Sequence, residues 1–231
     1  MPLLDNARVQ RRSRPHAASP VGRVERRKAR TRAGLLTAAR ELFAARGIQS
    51  TTVAEIAEHA DIAIGSFYNY FHTKEQLLDA LLEEELATQL HALQARQAKV
   101  ADPAEKISIA HRHLVRVAQA DPDWAWLLVR LEVPYRIAWS VLGQSAERDL
   151  REGIEAGRFQ VANERLALNA SGGALFAIIH AQLVGELSEH PDCEHAEGVL
   201  RSFGLDRTEA AAIARRPLPD AGGAAEEQRP T

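Results

Sequence analysis

Residues 47–82 read GIQSTTVAEIAEHADIAIGSFYNYFHTKEQLLDALL and carry the signals that begin and end short helices. Thr52 stands three residues before Glu55, the spacing of a capping box, in which the two residues satisfy each other's backbone N–H groups at a helix start. After a short connection, a second helix is predicted from about Ala63. Thr73 then stands three residues before a glutamine and begins a third, longer helix. The stretch therefore predicts two short helices in close succession, followed by a long one.

An amphipathic helix is predicted immediately before this stretch, from residue 24 to Arg46. Its apolar residues at positions 35, 36, 39, 42 and 43 fall on one face. Gly47 follows as a helix-ending residue. The three helices over 24–72 have the organisation of a helix-turn-helix, in which a slim second helix enters the major groove and the first braces it.

The candidate DNA contacts lie on the outward side of this module. Small and polar residues of the reading helix permit close approach to bases, and tyrosine, histidine, threonine and lysine side chains around it can reach phosphates. These candidates are Thr51, Thr52, Ala63, Ile64, Gly65, Ser66, Tyr68, Asn69, Tyr70, His72 and Lys74.

Two points about these contacts stay open at the sequence level. Tyr68 and Tyr70 fit phosphate contact or plain packing. Residues 63–70 contain no Arg, Lys or Gln, so reading of guanine by a bidentate arginine is not evident. Specificity would then depend on contact of Ala63 or Ile64 with thymine methyls, on Asn69, or on DNA shape.

The charge of the chain is strongly asymmetric. The net charge is only -2, but residues 1–46 hold twelve Arg and Lys against three Asp and Glu. Such a segment favours a polyanionic partner, because neutralised phosphates release counterions. A membrane surface, an acidic protein or a solvated tail would also explain it. One hypothesis is that residues 1–22 form an arm that enters an adjacent minor groove.

Residues 47–82 resemble the DNA-binding signature of TetR-family transcriptional regulators. The resemblance rests on Gly47, on the threonine pair at 51–52, on the segments GSFY (65–68) and YF (70–71), and on TKE (73–75). It implies an all-α, dimeric protein with an N-terminal three-helix helix-turn-helix module and a larger C-terminal helical dimerisation and ligand domain. Residues 147–159 and 198–206 resemble the family's seventh helix and its final dimer helix.

The resulting domain hypothesis has four parts. Residues 1–22 form a disordered basic tail, 23–72 the DNA-binding domain, 73–214 the effector-binding and dimerisation domain, and 215–231 a second disordered tail. Helices are predicted from 73 to about 100 and over 103–119, 122–133, 134–143, 145–157, 163–188 and 193–214. No stretch alternates with the period of a strand, so no sheet is predicted.

An effector pocket is predicted from the region that contains all three tryptophans. Concave sites lined by aromatic groups with a few polar side chains are the usual ligand pockets. The alternative is that the tryptophans and histidines are packing residues and that Arg130 belongs to an internal salt bridge. The pocket candidates are His113, Trp124, Trp126, Arg130, Tyr135, Trp139, Phe176 and His180.

Other chemistry receives little support from the sequence. His190, Asp192, Cys193 and His195 could hold a transition metal, but Pro191 and the acids that follow it are also typical of a helix start. Cys193 has no second cysteine to resolve an oxidised state. No catalytic motif is recognisable, so neither an enzyme nor a cofactor nor a resident metal is predicted.

Composition indicates a globular protein of a reducing compartment. Hydrophobic residues make up 45% and charged residues 26%, and there is one cysteine. The first ten residues lack the apolar run of a secretory signal. The longest apolar stretch, 172–179, is far shorter than the roughly 20 residues that span a bilayer. A cytoplasmic protein without membrane contact is predicted.

Dimerisation is expected on the apolar segment 163–188. Small residues stand among its leucines and isoleucines, so two copies could approach closely, and together with 193–214 they could form a four-helix interface. The alternative is an internal core helix. A two-fold dimer would place two reading helices about 34–36 Å apart on one face of DNA.

The sequence thus predicts a sequence-specific DNA-binding regulator. Its partners would be a double-stranded operator, a second copy of the chain and a small-molecule effector that releases the regulator, as a repressor, from a palindromic site. An architectural DNA-binding protein without effector control is the alternative. A binding or storage protein with an incidental basic tail lies outside both.

Overall fold

Helices account for nearly all regular structure in the part of the chain that is described. The computed structural model describes residues 20–129, 134–187 and 190–220, with the backbone alone for 20–23 and 134–137, and no strand occurs among them. The helices are α1 (Pro20–Arg46), α2 (Val53–His59), α3 (Ile64–Phe67), α4 (Lys74–Gln97), α5 (Pro103–Ala120), α6 (Pro122–Val129), α7 (Pro134–Glu155), α8 (Glu164–Leu183), α9 (Pro191–Ser202) and α10 (Arg207–Ala214). The predicted all-α class is confirmed.

The helix starts inferred from local spacing are confirmed. The Thr52 hydroxyl accepts from the Glu55 backbone N–H at 3.2 Å, and the Glu55 carboxylate accepts from the Thr52 backbone N–H at 2.8 Å. At α4, the Thr73 hydroxyl accepts from the backbone N–H of Gln76 at 3.0 Å. α5 begins with Asp102 as its cap and Pro103 in its first turn. These bonds replace intrahelical partners that the first turn of a helix lacks.

Gly143 does not end a helix, contrary to the prediction of separate helices over 134–143 and 145–157. α7 runs through this position without interruption. A Cβ atom on Gly143 would lie 3.0 Å from Cδ2 of Trp139, so the indole ring covers the space that a side chain would need. The glycine at this position makes room for an aromatic ring inside a continuous helix.

The predicted helix over 193–214 is two helices. α9 ends at Ser202, and Gly204 follows with a φ of +101°, a left-handed conformation that favours glycine. Asp206 then caps α10. The reversal packs α10 against α9, so the two form a hairpin. Of the predicted helix over 122–133, residues 130–133 lie outside the described part.

Two clusters of buried apolar side chains form the core. The first joins the DNA-binding module to the C-terminal helices, since it contains Leu35, Phe43 and Phe67 together with Leu86, Trp124 and Ile179. The second joins the start of α5 and the end of α7 to α8, α9 and α10. Its members include Ile107, Leu150, Phe159, Leu168, Leu200, Phe203 and Ile213.

α8 is an unusually apolar and exposed helix. An 18-residue window of this 20-residue helix has a mean hydropathy of 1.3, and among the described residues α8 alone has the length and composition of a membrane span. The sequence analysis considered only the apolar stretch 172–179, which is too short to span a bilayer, and so missed the longer apolar helix α8. Leu168, Leu175 and Ile179 face the two cores, whereas Leu166 and Val184 are 66% and 45% exposed. α8 therefore packs within the fold on one side and presents an apolar side to the outside of the single chain.

Candidate DNA-binding surface and effector cavity

The turn between α2 and α3 fixes the geometry of the helix-turn-helix. Asp61 adopts a φ of +54°, and the backbone N–H of Ile62 donates to the carbonyl of Ala57 at 3.0 Å. Ile56 on α2 and Phe67 on α3 are both fully buried in the first core. Their burial holds α2 and α3 together and turns the remaining faces outward.

The outward face of α3 combines small groups with two exposed large side chains. Ile64 and Tyr68 are each half exposed. A Cβ atom on Gly65 would meet nothing within 4 Å, so the backbone is open to close approach there. Ala63, Asn69 and His72, also predicted contacts, are exposed as well, and Ser66 is partly exposed. This face is slim enough to enter a major groove.

The two tyrosines have different surroundings. The Tyr68 ring stands edge-on to Phe67, with ring centroids 5.4 Å apart, and its other side is exposed. Tyr70 packs against the first core. These positions favour contact with DNA for Tyr68 and packing for Tyr70.

Thr51 and Lys74 brace the loop that precedes α2. Thr51 is buried, and its hydroxyl donates to the carbonyl of Gly47 at 2.9 Å. The Lys74 ammonium donates to the carbonyls of Ile48 and Thr51 at 2.7 and 2.8 Å. Both residues were predicted phosphate contacts. The Thr51 hydroxyl is buried and bonded within the protein, so its side chain is not placed to contact a phosphate. Lys74 positions the start of α2.

The N-terminus of α2 already holds a carboxylate. Glu55 accepts from both the backbone N–H and the hydroxyl of Thr52, and these bonds lower the pKa of its carboxyl group. Arg46 pairs with the same carboxylate at 2.9 Å. Thr52 and Arg46 are exposed.

The first turns of α1 extend the positive charge of this module. Residues 24–30 are all exposed and include Arg26, Arg27, Lys28 and Arg30. Arg32, at the base of this extension, lies over the Phe71 ring at 5.4 Å and pairs with Glu84. The extension thus starts beside Phe71, four residues beyond the end of α3. Residues 1–19, which hold most of the predicted arm, lie outside the described residues.

A cavity of about 120 Å³ lies in the C-terminal half, at the boundary between the two core clusters. Its wall is mostly apolar and comes from α4, α5, α7 and α8, with contributions from the ends of α6 and α9. The lining residues are Leu86, Leu93, Ile107, Ala110, His111, Leu114, Leu128, Ala138, Trp139, Leu142, Gly143, Ser145, Ala146, Asp149, Leu168, Ser171, Gly172, Leu175, Phe176, Ile179 and Phe203.

Four polar side chains stand in this wall. The hydroxyl of Ser145 accepts from Arg148 at 2.9 Å, and that of Ser171 donates to the carbonyl of Leu168 at 3.1 Å. Asp149 is buried, which raises the pKa of its carboxyl group, although Arg148 and Lys106 act in the opposite sense. The fourth is His111, whose Nδ1 lies 2.9 Å from Nε2 of His195 on α9. The cavity can therefore hold a small apolar molecule and offer it hydrogen bonds.

Only part of the predicted pocket lines this cavity. Trp139 and Phe176 do, whereas Trp124 is 1% exposed within the first core, and the rings of Trp126 and His180 stack edge-on with centroids 6.0 Å apart. The side chains of Arg130 and Tyr135 lie outside the described residues.

His113 also lies away from the cavity. It is buried facing α4, and its pKa is lowered to about 4, first by burial and then by Arg96. The prediction missed His111 and Asp149, which do line the cavity. Their signal was present, because each interrupts the apolar stripe of an amphipathic helix: His111 stands between Ile107 and Leu114, and Asp149 beside Leu150.

The residues of 190–195 considered for a metal have separate partners. Asp192 accepts from Arg112 and Arg116 at 3.3 and 2.7 Å, and His195 pairs with His111. Burial raises the pKa of the Cys193 thiol. Within the described ranges, no group of three or more His, Cys, Asp or Glu side chains could hold a metal ion.

α4 connects the DNA-binding module to the cavity. Leu77 and Leu81 belong to the first core, and Leu86 and Leu93 line the cavity further along the same helix. Beside it, Arg40 of α1 pairs with Glu85 at 3.4 Å and also contacts Asp121 before α6. α4 therefore joins the core of the helix-turn-helix module to the cavity wall.

Comparison with known proteins gives matches over both halves of the chain. Residues 35–81 match the model of bacterial regulatory proteins of the tetR family, and residues 102–216 match a tetracyclin repressor-like C-terminal domain. The crystal structure of RolR without ligand is 38% identical, with a TM-score of 0.71 over 82% of this chain and 99% of that one. RolR in complex with resorcinol gives 37% identity and a TM-score of 0.72 over 85% and 99% of the two chains.

Curated relatives match over shorter stretches. The repressor KstR2 of Mycolicibacterium smegmatis is 34% identical over 96 residues, which is 38% of this chain and 47% of KstR2. The regulator TtgR of Pseudomonas putida is 33% identical over 87 residues, 38% of this chain and 40% of TtgR. The alignments thus span less than half the length of these two relatives.

The reading surface, the C-terminal helical domain and these matches define a helix-turn-helix DNA-binding transcriptional regulator. The chain belongs to the TetR family, as the resemblance of residues 47–82 predicted.

Proposed function

We propose that this chain is a cytoplasmic, homodimeric repressor that a small molecule releases from a palindromic operator. The observation that carries the proposal is the path of α4, which begins in the core of the DNA-binding module and ends in the wall of a cavity. A molecule that binds the cavity better in one arrangement of α4 shifts the population toward that arrangement. An affinity ratio of about 100 between the two states would supply roughly 2.7 kcal/mol.

The exposed face of α3 is the proposed reading surface. Ile64 and Tyr68 are its largest exposed groups, and Gly65 leaves the backbone open between them. Ile64 suits contact with a thymine methyl group, and Asn69 can bond an adenine edge. The exposed cations of α1 and Arg46 would contribute phosphate contacts that do not depend on sequence.

A second copy of this chain is the proposed occupant of the exposed side of α8. Between residues 166 and 177 the exposed residues other than Asn169 are small or apolar: Leu166, Ala170, Gly173, Ala174 and Ala177. A Cβ atom on Gly173 would meet nothing within 4 Å in the single chain, so a neighbouring helix has room to approach. Isologous packing of this side about a two-fold axis would place two reading helices on one operator.

The proposed effector is a small molecule with one ring. A volume of about 120 Å³ is close to that of an engineered apolar cavity of roughly 150 Å³ that binds benzene. RolR, which this chain matches over 99% of the RolR chain, has been crystallised with resorcinol, a ring with two hydroxyl groups. The mixture of apolar wall and polar side chains in this chain suits the same kind of compound.

Selection of binding sites from a random duplex pool at physiological salt tests this function. Enrichment of a two-fold symmetric sequence, followed by release of that sequence when hydroxylated ring compounds are added, is the expected result. Binding that is not sequence-selective and simply falls with salt would contradict the proposal and favour the architectural alternative. Enrichment without release by any compound would remove the effector and leave a constitutive regulator.

A further inference from the structure

His111 lies in the cavity wall, and one of its two ring nitrogens pairs with a histidine of α9. Its Nδ1 is 2.9 Å from Nε2 of His195, and the ring centroids are 4.9 Å apart at 63°. The second nitrogen of His111, Nε2, takes no part in that bond. His111 belongs to the cavity lining, so with Nδ1 paired to His195 this second nitrogen is the one left for a bound molecule.

Both imidazoles of the pair are neutral at physiological pH. Burial, with a smaller contribution from His195, lowers the pKa of His111 to about 3. Burial also lowers the pKa of His195 to about 4. In a neutral imidazole one nitrogen donates and the other accepts, so the 2.9 Å bond links the tautomer of His111 to that of His195.

α9 holds His195 in place against α5. Asp192, one turn earlier on α9, accepts from Arg112 and Arg116 on α5, and the Arg112 and Asp192 side chains are 4% and 5% exposed. Buried pairs of this kind keep a fixed geometry because each partner would otherwise lose its compensating charge. The neighbouring histidine pair therefore has little freedom to separate.

The cavity lining is unsuited to an anion. The lining residues given above include no Lys or Arg, and Asp149 contributes a buried carboxyl group. A carboxylate brought into this wall would lose its hydration, and the nearest cations, Arg148 and Lys106, already pair with Asp149 and Glu152. A neutral hydroxyl group can both donate and accept a hydrogen bond, so it matches either tautomer of His111.

We propose that His111 is the hydrogen-bonding partner of the effector, that His195 is a positioning residue which fixes its tautomer, and that the effector is an uncharged ring compound with a hydroxyl group. This inference rests on the proposed effector cavity. It goes further by naming the residue that selects the ligand and the class of ligand selected.

Calorimetry with three probes of similar size tests the role of His111. Phenol carries the hydroxyl group, toluene replaces it with a methyl group, and benzoate carries a charge. The wild-type protein should bind phenol about two- to tenfold more tightly than toluene, the range that one net hydrogen bond supplies, and benzoate most weakly. His111→Leu should bring the phenol-to-toluene ratio close to one.

His113→Gln is the matched control, since it removes a buried histidine from the same helix but not from the cavity. It should keep the wild-type ratio. An unchanged ratio in His111→Leu, or tightest binding of benzoate by the wild-type protein, would overturn the proposal. Near-ultraviolet circular dichroism establishes that each variant keeps its packed core.

The positioning role of His195 has its own readout. Nitrogen chemical shifts of His111 report which ring atom carries the proton. They should indicate one tautomer in the wild-type protein and a mixture in His195→Phe, while His195→Gln, which can still bond Nδ1, should restore one tautomer. Identical His111 shifts in His195→Phe and the wild-type protein would overturn this role.

Release of operator DNA separates this inference from the proposed function. If phenol binds through His111 but no ring compound releases DNA, the proposed effector control fails and the assignment of His111 stands. If the wild-type protein does not discriminate phenol from toluene while another compound releases DNA, the assignment fails and effector control stands.

Discussion

Lys74, at the start of α4, donates from Nζ to the backbone oxygen of Thr51 at a distance of 2.8 Å. It also reaches the carbonyl of Ile48 at 2.7 Å. One ammonium group thus joins the connection between α1 and α2 to the first turn of α4, the helix that continues to the cavity.

Lys74→Met should therefore lower the stability of the protein. Two carbonyl groups would lose a charged donor, and we expect the free energy of unfolding to drop by about 1.5–3 kcal/mol in urea denaturation. Lys99→Met, at an exposed position beyond the end of α4, is the control and should stay within about 0.5 kcal/mol of the wild type. If Lys74→Met is as stable as the wild type, and the slope of log K for DNA binding against log salt concentration is smaller by about one, Lys74 contacts a phosphate instead.

Asp61 should tolerate glycine and reject a β-branched residue. Its φ of +54° lies in the left-handed region, which glycine adopts freely and valine adopts only with strain. The free energy of unfolding of Asp61→Gly should lie within about 0.5 kcal/mol of the wild-type value or above it. That of Asp61→Val should be lower by about 1–2 kcal/mol. Thermal unfolding of the two variants measures this, and equal losses in both would point to a role of the carboxylate itself.

Local spacing in the sequence was sufficient to predict the helix starts, because capping involves residues within one turn of each other. The pair Thr52 and Glu55 is the clearest example. The path of α7 through Gly143 was not predictable in the same way. A glycine inside a helix looks like a break until the Trp139 ring that covers it is known.

The cavity was harder to predict than the reading surface. Clustering of the three tryptophans along the chain does not determine which way each ring points, and only Trp139 lines the cavity. His111 and His195 are 84 residues apart, and only the packing of α9 on α5 brings them together. Contacts of this kind depend on tertiary structure, whereas the reading surface lies on one short stretch with a distinctive pattern.

Gly153 should be the least replaceable helical glycine of the C-terminal domain. A Cβ atom there would lie 2.0 Å from Cδ2 of Phe159, and the Phe159 ring is buried edge-on against Phe203 at 5.4 Å. Gly153→Ala should lose about 1–3 kcal/mol or more through overpacking. Gly198→Ala, on exposed α9 surface with nothing within 4 Å, should gain about 0.5–1 kcal/mol. A Gly153→Ala protein as stable as the wild type in urea would contradict this account.

Acid should weaken the fold through its buried histidines. His111, His113 and His195 have ordinary pKa values of 6.5 and folded values of about 3, 4 and 4. Below pH 6.5 the unfolded chain therefore binds protons that the folded chain does not. The part of the folding stability that depends on these three neutral imidazoles is fully present above pH 6.5 and is lost as the pH falls toward 4. The raised pKa of Asp149 acts in the opposite sense.

Urea denaturation at intervals between pH 7 and 4.5 measures this effect above the range in which most carboxylates titrate. The free energy of unfolding should fall throughout that interval, and the slope should be smaller in His113→Gln. The control is His91→Gln, at an exposed position on α4, which should keep the wild-type slope. A wild-type slope near zero would mean that the three imidazoles are protonated as readily in the folded chain as in the unfolded one.

Ala174→Arg should separate dimerisation from ligand binding. Ala174 is exposed on the side of α8 proposed to meet a second copy, so a charged side chain there would be buried without a partner in the dimer but solvated in the single chain. Analytical ultracentrifugation should show a monomer, and affinity for a two-fold operator should fall because one reading helix alone makes too few contacts. Phenol binding should persist, since Ala174 does not line the cavity.

The control is Ala95→Arg, at an exposed position of α4. This variant should remain dimeric and bind DNA normally. If Ala174→Arg stays a dimer with full operator affinity, the two copies meet on a different surface.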